Sequence, residues 1–293
     1  MKKDNFKPVF VTGVSRTGSK IYMNILNEYS NIAIAKEIHF INPRYLHNDF
    51  VRTVKKEIGK LETEKDIDKL IKLMYSGSFF GTFWKDQVPD LDQASLKKEI
   101  LASDKEFKTI LRILLEEFAK KHNKDIPGAK YPVHLLSIPR LRNWYSDAKI
   151  IHTVRDPRAI YASQSNKWQF EGYRKNALTK ALFNFLTFSH VCASYWYSFL
   201  LHIRISSKGN YYLIKFEDLV QSPEVELKKL CNFLGITYKE GMLNPPLSES
   251  SHTTKKMKGF NKDVVYKWKE KINPITSAIL YTLTFIPTYY FNK

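Results

Sequence analysis

Three short apolar runs stand out against a chain otherwise patterned for helices. Val9-Phe10-Val11, the segment KIIHTV from Lys149 to Val154, and YYLIKFEDL, which begins at Tyr211 and runs into Asp218-Leu219, each read as a strand; the first two are apolar enough to be buried. Around them, apolar residues recur at helical spacing. The pattern predicts a helix from Ser19 to about Tyr29 and a long, mostly helical region from about Asn42 to Asn123, broken at Gly77, Gly81, Pro89 and Asp90. Further helices are expected after Pro157, over the aromatic-rich stretch from Ala177 to Leu201, and from Ser222-Pro223 to Gly235. An aromatic stripe at helical spacing is more often core than ligand box, so the stretch from Ala177 is taken as core.

The first strand runs into a loop with Gly13 and Gly18, and a helix starts at Ser19. Such a helix start offers free backbone N–H groups and the positive end of a dipole, and Arg16 and Lys20 add charge at the same point. Strand, glycine loop, cations and helix N-terminus together make a cradle for phosphate or sulfate. An ordinary strand-to-helix turn explains two glycines equally well. A nucleotide-triphosphate loop needs Lys and then a hydroxyl after its second glycine, but here Ser19 precedes Lys20, the reverse order. The second apolar run ends similarly, delivering Arg155 to a sheet edge above a helix that starts at Pro157, the place where open α/β sheets bind ligands.

Composition narrows the picture. The chain has 293 residues, 43% of them hydrophobic, and no Ser/Gly/Pro-rich linker or repeat divides it, so one large α/β domain is expected. Forty-seven Lys and Arg against 29 Asp and Glu give a net charge of +18, which favours an anionic partner: nucleic acid, an acidic membrane face or a polyphosphorylated cofactor. A generally basic surface is the plain alternative, and with no zinc-finger or aromatic RNA-binding motif, nucleic acid is set aside. Cys192 and Cys231 both lie in apolar helical patterns, which points to buried thiols in a reducing compartment. The N-terminus runs straight into the first strand without a signal-peptide pattern. The stretch from Ile272 to Asn292 carries no charge. Its prolines and many Thr and Tyr argue against a spanning helix. A helix packed on the domain is the first expectation for it, and a membrane-interface anchor the second.

With these residues in view, GVSRTGSK resembles the 5′-phosphosulfate loop of the sulfotransferases that use 3′-phosphoadenosine 5′-phosphosulfate (PAPS), commonly Gly-x-Pro-Arg-Ser-Gly-Thr-Thr/Ser. Arg16, Gly18 and Ser19 match its Arg, Gly and first Thr, while Ser15, Thr17 and Lys20 replace its Pro, Ser and second hydroxyl residue. Arg155 and Ser163, eight positions apart around Asp156-Pro157-Arg158-Ala159, resemble the family's 3′-phosphate motif in the bacterial and Golgi-type branches, tyrosylprotein- or carbohydrate-sulfotransferase-like. FEDL followed by FLG resembles its sheet-bracing unit, which gives Glu217 and Asp218 a structural role. Lys258-Gly259 and Trp268 resemble the loop that closes over the 3′-phosphate. The resemblance implies a single P-loop-like α/β domain with a central, mainly parallel sheet flanked by helices. It would carry a helical insertion at about 42–125, and a basic loop and uncharged tail at about 250–293.

It also implies the chemistry. The donor is PAPS and the product 3′-phosphoadenosine 5′-phosphate (PAP), with no metal expected. The cofactor contacts are Ser15, Arg16, Thr17, Gly18, Ser19, Lys20, Arg155, Ser163, Lys258 and Gly259. Glu37, in KEIHF, is the general base by resemblance to the tyrosylprotein branch, with His39 and His134 as competitors. Arg16 and Lys130 stabilise charge, and the alternative for Lys130 is a surface lysine before a proline turn. The acceptor is expected to be a hydroxyl on a saccharide or glycolipid at the cytoplasmic face of a membrane. The alternatives are a P-loop nucleotide kinase or NTPase, and a basic polyanion- or membrane-binding protein.

Overall fold

The computed structural model describes residues 6–36, 40–41, 49–75, 91–131, 135–165, 176–245, 248–250, 253–257 and 260–292. Glu37, His39, His134, Lys258 and Gly259 lie outside these residues.

In chain order the elements are β1 (Val9–Gly13), α1 (Ser19–Tyr29), β2 (Ile32–Ala35), α2 (Phe50–Glu57), α3 (Glu64–Tyr75), α4 (Gln93–Leu101), α5 (Phe107–Lys121) and β3 (Ile126–Tyr131). They continue as α6 (Ile138–Trp144), β4 (Lys149–Val154), α7 (Pro157–Ser165), α8 (Ala177–Ile205), β5 (Tyr211–Lys215), α9 (Phe216–Gln221) and α10 (Pro223–Leu234). A small antiparallel pair, β6 (Ser248–Ser250) with β7 (Thr253–Met257), precedes the last two helices, α11 (Pro274–Leu283) and α12 (Phe285–Phe291). This is an α/β fold. Its main sheet has five strands in the order β2-β3-β1-β4-β5, and β3 runs parallel to both of its neighbours, β1 and β2.

Two compact units divide the chain: residues 1–12 with 30–150, and residues 13–29 with 151–293. The first contains two strands that the sequence pattern did not announce. β2 is only IAIA, all four residues buried. β3 reads IPGAKY, a composition that argues against an interior strand, because Pro has no N–H and Gly no side chain to pack. The reason for the glycine is steric. A Cβ on Gly128 would lie 2.4 Å from the Val9 carbonyl oxygen and 2.5 Å from Ile34 Cδ1. Four helices, α2 to α5, fill the described part of the stretch expected to be helical, and Phe40, Phe50, Phe107 and Trp144 pack their rings together within this unit.

In the second unit, α10 ends as expected on Gly235 in the left-handed conformation (φ 69°). Helix α8 differs from expectation. Only part of its stripe is core: Val191, Tyr195 and Phe199 are buried, whereas Leu178, Leu182, Phe185, Leu186, Leu200 and Ile203 are more than half exposed. The uncharged C-terminus forms α11 and α12, which pack on α8 through Trp196 Nε1–H donating to the Leu283 carbonyl (2.8 Å) and through Phe291 against Tyr195 and Phe199. Cys231 is buried, Cys192 half-buried, and both are free thiols whose pKa burial raises.

Candidate active site

The glycine loop folds back on itself. Arg16 takes φ 81° and Gly18 φ 85°, both in the left-handed region, so a non-glycine residue is held in a strained conformation at the centre of the loop. Thr17 helps to hold it there. Its hydroxyl donates to the Val14 carbonyl (2.8 Å), so at 2.6 Å from Thr153 Oγ1 it acts as the acceptor. Thr17 is fully buried, and its hydroxyl is committed to these two partners. Ser19 is buried at the first position of α1, and Lys20 is exposed one residue on. The Ser15 carbonyl accepts from Gln164 Nε2 (3.3 Å).

Gly18 is glycine for a second reason. A Cβ there would come within 2.4 Å of Cδ2 of Phe216, the residue that opens α9. Phe216 is buried with Val220 and Val265, and its ring face carries the Arg155 guanidinium 4.2 Å above its centroid.

Arg155 leaves the end of β4. Its Nη1 donates to the Arg16 carbonyl and its Nη2 to the Val264 carbonyl, both at 3.3 Å, while its buried Nε has no partner. Burial lowers its pKa, opposed by Glu217 and reinforced by Arg16. Arg16 in turn donates from Nε to Ser163 Oγ (2.7 Å), 147 positions away in sequence and on the second turn of α7. The two basic segments therefore meet, with Arg16, Arg155 and Ser163 in one hydrogen-bonded group.

Around this group the start of α7 is braced. Glu217 accepts the Asp156 N–H (2.9 Å), and burial raises the Glu217 pKa. Asp156 accepts the Arg158 N–H and pairs with its guanidinium (Nη2 to Oδ2, 2.6 Å). Arg158 also faces the rings of Trp268 (4.1 Å) and Tyr281 (5.0 Å), which ties the C-terminal segment to α7. Phe216, Val264 and Tyr281 were not singled out from the sequence. They act through a ring face or a backbone carbonyl, for which no sequence motif exists.

In the first unit, Lys130 is not a surface residue. It lies in β3 opposite Val11, only 6% exposed. β1, β2 and β3 run in the same direction, so Thr12, Lys130 and Ala35 lie toward the same, C-terminal end of these strands. Among the described residues, no group of three or more His, Cys, Asp or Glu is placed to hold a metal ion.

Comparison with known proteins agrees with this geometry. Over 116 residues the chain is 28% identical to Sulfotransferase 2A1 of Macaca fascicularis, a match spanning 38% of this chain and 40% of that protein's length. The sulfotransferase domain of the Synechococcus PCC 7002 olefin synthase superposes over 96% of both chains with a TM-score of 0.54 at 19% identity. Mouse sulfotransferase SULT7A1, complexed with PAP, superposes over 94% of this chain and 82% of its own with a TM-score of 0.50 at 14% identity. At such identities the two structures establish the fold. The model of the Sulfotransferase family matches residues 8–240, which takes in β1, the glycine loop, Arg155, Ser163 and the Glu217 brace, and the chain accordingly belongs to the sulfotransferase family.

Proposed function

We propose that the protein transfers a sulfuryl group from PAPS to an acceptor hydroxyl, on a saccharide or glycolipid met at the cytoplasmic face of a membrane. The observation that carries this reading is the convergence of Arg16, Arg155 and Ser163 from two distant segments. The donor set fits the nucleotide: two guanidiniums, a hydroxyl and the start of α1 suit phosphate oxygens, and the partnerless buried Nε of Arg155 is a donor suited to one of them. Family membership and the PAP held by mouse SULT7A1 support the same donor. Both cysteines being free thiols supports a reducing compartment.

PAPS supplies the sulfuryl group: a bond forms from the acceptor oxygen to sulfur as the bond from sulfur to the phosphate oxygen breaks, releasing PAP. The loop from Ser15 to Lys20 holds the 5′ end through its backbone, and Arg155 with Ser163 holds the 3′-phosphate. Lys258 and Gly259 complete that grip. Arg16 and Lys130 offset charge as it spreads over the transferring group, and Glu37 takes the acceptor's proton.

Calorimetry with PAP, ATP–Mg²⁺ and heparin tests the donor. Tight, metal-independent PAP binding is expected. A preference for ATP–Mg²⁺, or binding only to the polyanion with strong salt dependence, overturns the reading. Glu37→Ala is expected to keep PAP binding and to lose transfer by about 10²–10⁴-fold, and unchanged transfer would remove Glu37 as the base.

A further inference from the structure

Helix α8 runs for 29 residues, and between Lys180 and Arg204 it has no Asp, Glu, Lys or Arg. The exposed positions Leu178, Leu182, Phe185, Leu186, Leu200 and Ile203 recur at helical spacing and form an outward apolar stripe. Helices α11 and α12, packed on the same helix, add Ile275, Ile279, Leu283, Phe285, Ile286 and Tyr289, each between 48% and 73% exposed. Scattered exposed apolar residues need no explanation, but this many on elements in mutual contact exceeds what a protein surface ordinarily leaves to water.

The charges around these helices are mainly positive. From Asn176 to Phe216, and again after Glu270, the sequence contains no carboxylate side chain. The cations at the helix ends, Lys180 and Arg204 on α8, Lys208 just after it, and Lys267, Lys269 and Lys271 ahead of α11, are exposed, with the exposed Glu270 among the last three. Exposed apolar residues and Tyr, bordered by Lys and Arg that outnumber the acids, form the pattern of helices lying in a membrane interface against anionic headgroups. No described helix is long and apolar enough to cross a bilayer. A second copy of the chain would bring the same cationic border to the contact, and repulsion would oppose the pairing.

We propose that α8, α11 and α12 dock the protein on an anionic bilayer surface, with the exposed stripe at the acyl boundary and the lysines and arginines at the headgroups. This surface is separate from the Arg16–Arg155–Ser163 group, and the inference stands whether or not the chain transfers sulfate.

The test is sedimentation of the full chain with phosphatidylcholine vesicles, with and without phosphatidylserine. Binding is expected to be about tenfold or more tighter with phosphatidylserine and to weaken as salt is raised. The triple variant Leu182→Glu, Phe185→Glu, Ile286→Glu is expected to lose about tenfold or more of that binding. Its thermal melting and PAP binding should stay at the unsubstituted level, because all three side chains are exposed. Hydrogen exchange on the unsubstituted chain needs no variant: phosphatidylserine vesicles should protect residues 177–186 and 274–291. The proposal is overturned by absence of vesicle binding, by equal binding of the variant, or by protection elsewhere only. A dimer that the variant abolishes, in a chain that ignores vesicles, overturns it in favour of self-association.

Discussion

At residue scale, Arg155 is held by three groups from separate segments: a carbonyl from the glycine loop, a carbonyl from the C-terminal segment, and the ring of Phe216. Removing water from a guanidinium costs several kcal/mol unless its donors are met, so this site tolerates the charge only while all three are in place. Gly18 sets the position of Phe216, and through it the position of Arg155. Gly18→Ala is therefore expected to displace the ring, to cost about 1–3 kcal/mol of stability, and to weaken PAP binding by at least about tenfold. Urea denaturation and calorimetry measure the two effects. A variant binding PAP as well as the parent would separate Gly18 from Arg155. The sequence placed Arg16, Arg155 and Ser163 in one functional set by resemblance to motifs. It did not indicate that Phe216 supports them, since a Phe after a strand looks the same whether it packs on Leu or on Arg.

At element scale, the longer apolar runs were legible as strands, whereas β2, apolar but only four residues long, and β3, with its Pro and Gly, were not. β1, with Val9-Phe10-Val11, and β4, with Ile150-Ile151 and Val154, are strands and almost wholly buried. β3 carries Pro127 and Gly128 and still lies between β1 and β2, and the Val9 carbonyl and the Ile34 side chain leave no room for a side chain at position 128. Gly128→Ala is expected to push against the Val9 carbonyl and the Ile34 side chain, with a loss of about 1–3 kcal/mol in urea denaturation. An unchanged midpoint would mean that the sheet yields there at no cost. The helix α8 stripe shows the opposite error. Its spacing marks it as amphipathic, but spacing alone does not say whether the apolar face meets protein or something else.

At the scale of the whole molecule, acid sensitivity is set by a buried polar chain. His152 is fully buried between Ser198 Oγ (2.8 Å) and Tyr211 Oη (2.7 Å), and Tyr211 Oη also meets His202 Nδ1 (2.9 Å). Burial, with a smaller effect from His202, takes the His152 pKa down to about 3, and burial lowers that of His202. An unfolded chain then binds protons that the folded one refuses. Stability is full above about pH 6.5 and is lost as pH falls toward 3. The raised pKa of Glu217 works the other way, giving back some stability as pH falls below its folded value. Urea midpoints measured from pH 7 to pH 4 should fall, and fall less steeply in His152→Gln; parallel slopes in the two proteins would assign the acid sensitivity elsewhere.

By itself the sequence determined the α/β class, the buried strands β1 and β4, the glycine loop and the two arginine segments, because strand runs, turns and motif spacings are local and are written in consecutive residues. Only the tertiary structure decided that Arg16 reaches Ser163, that Lys130 is buried, that Gly128 lies where no side chain fits, and that α8 turns half of its apolar stripe outward. Each of these depends on which distant segment comes alongside, and contact between residues 147 positions apart is settled by packing of the folded chain, not by neighbours in sequence.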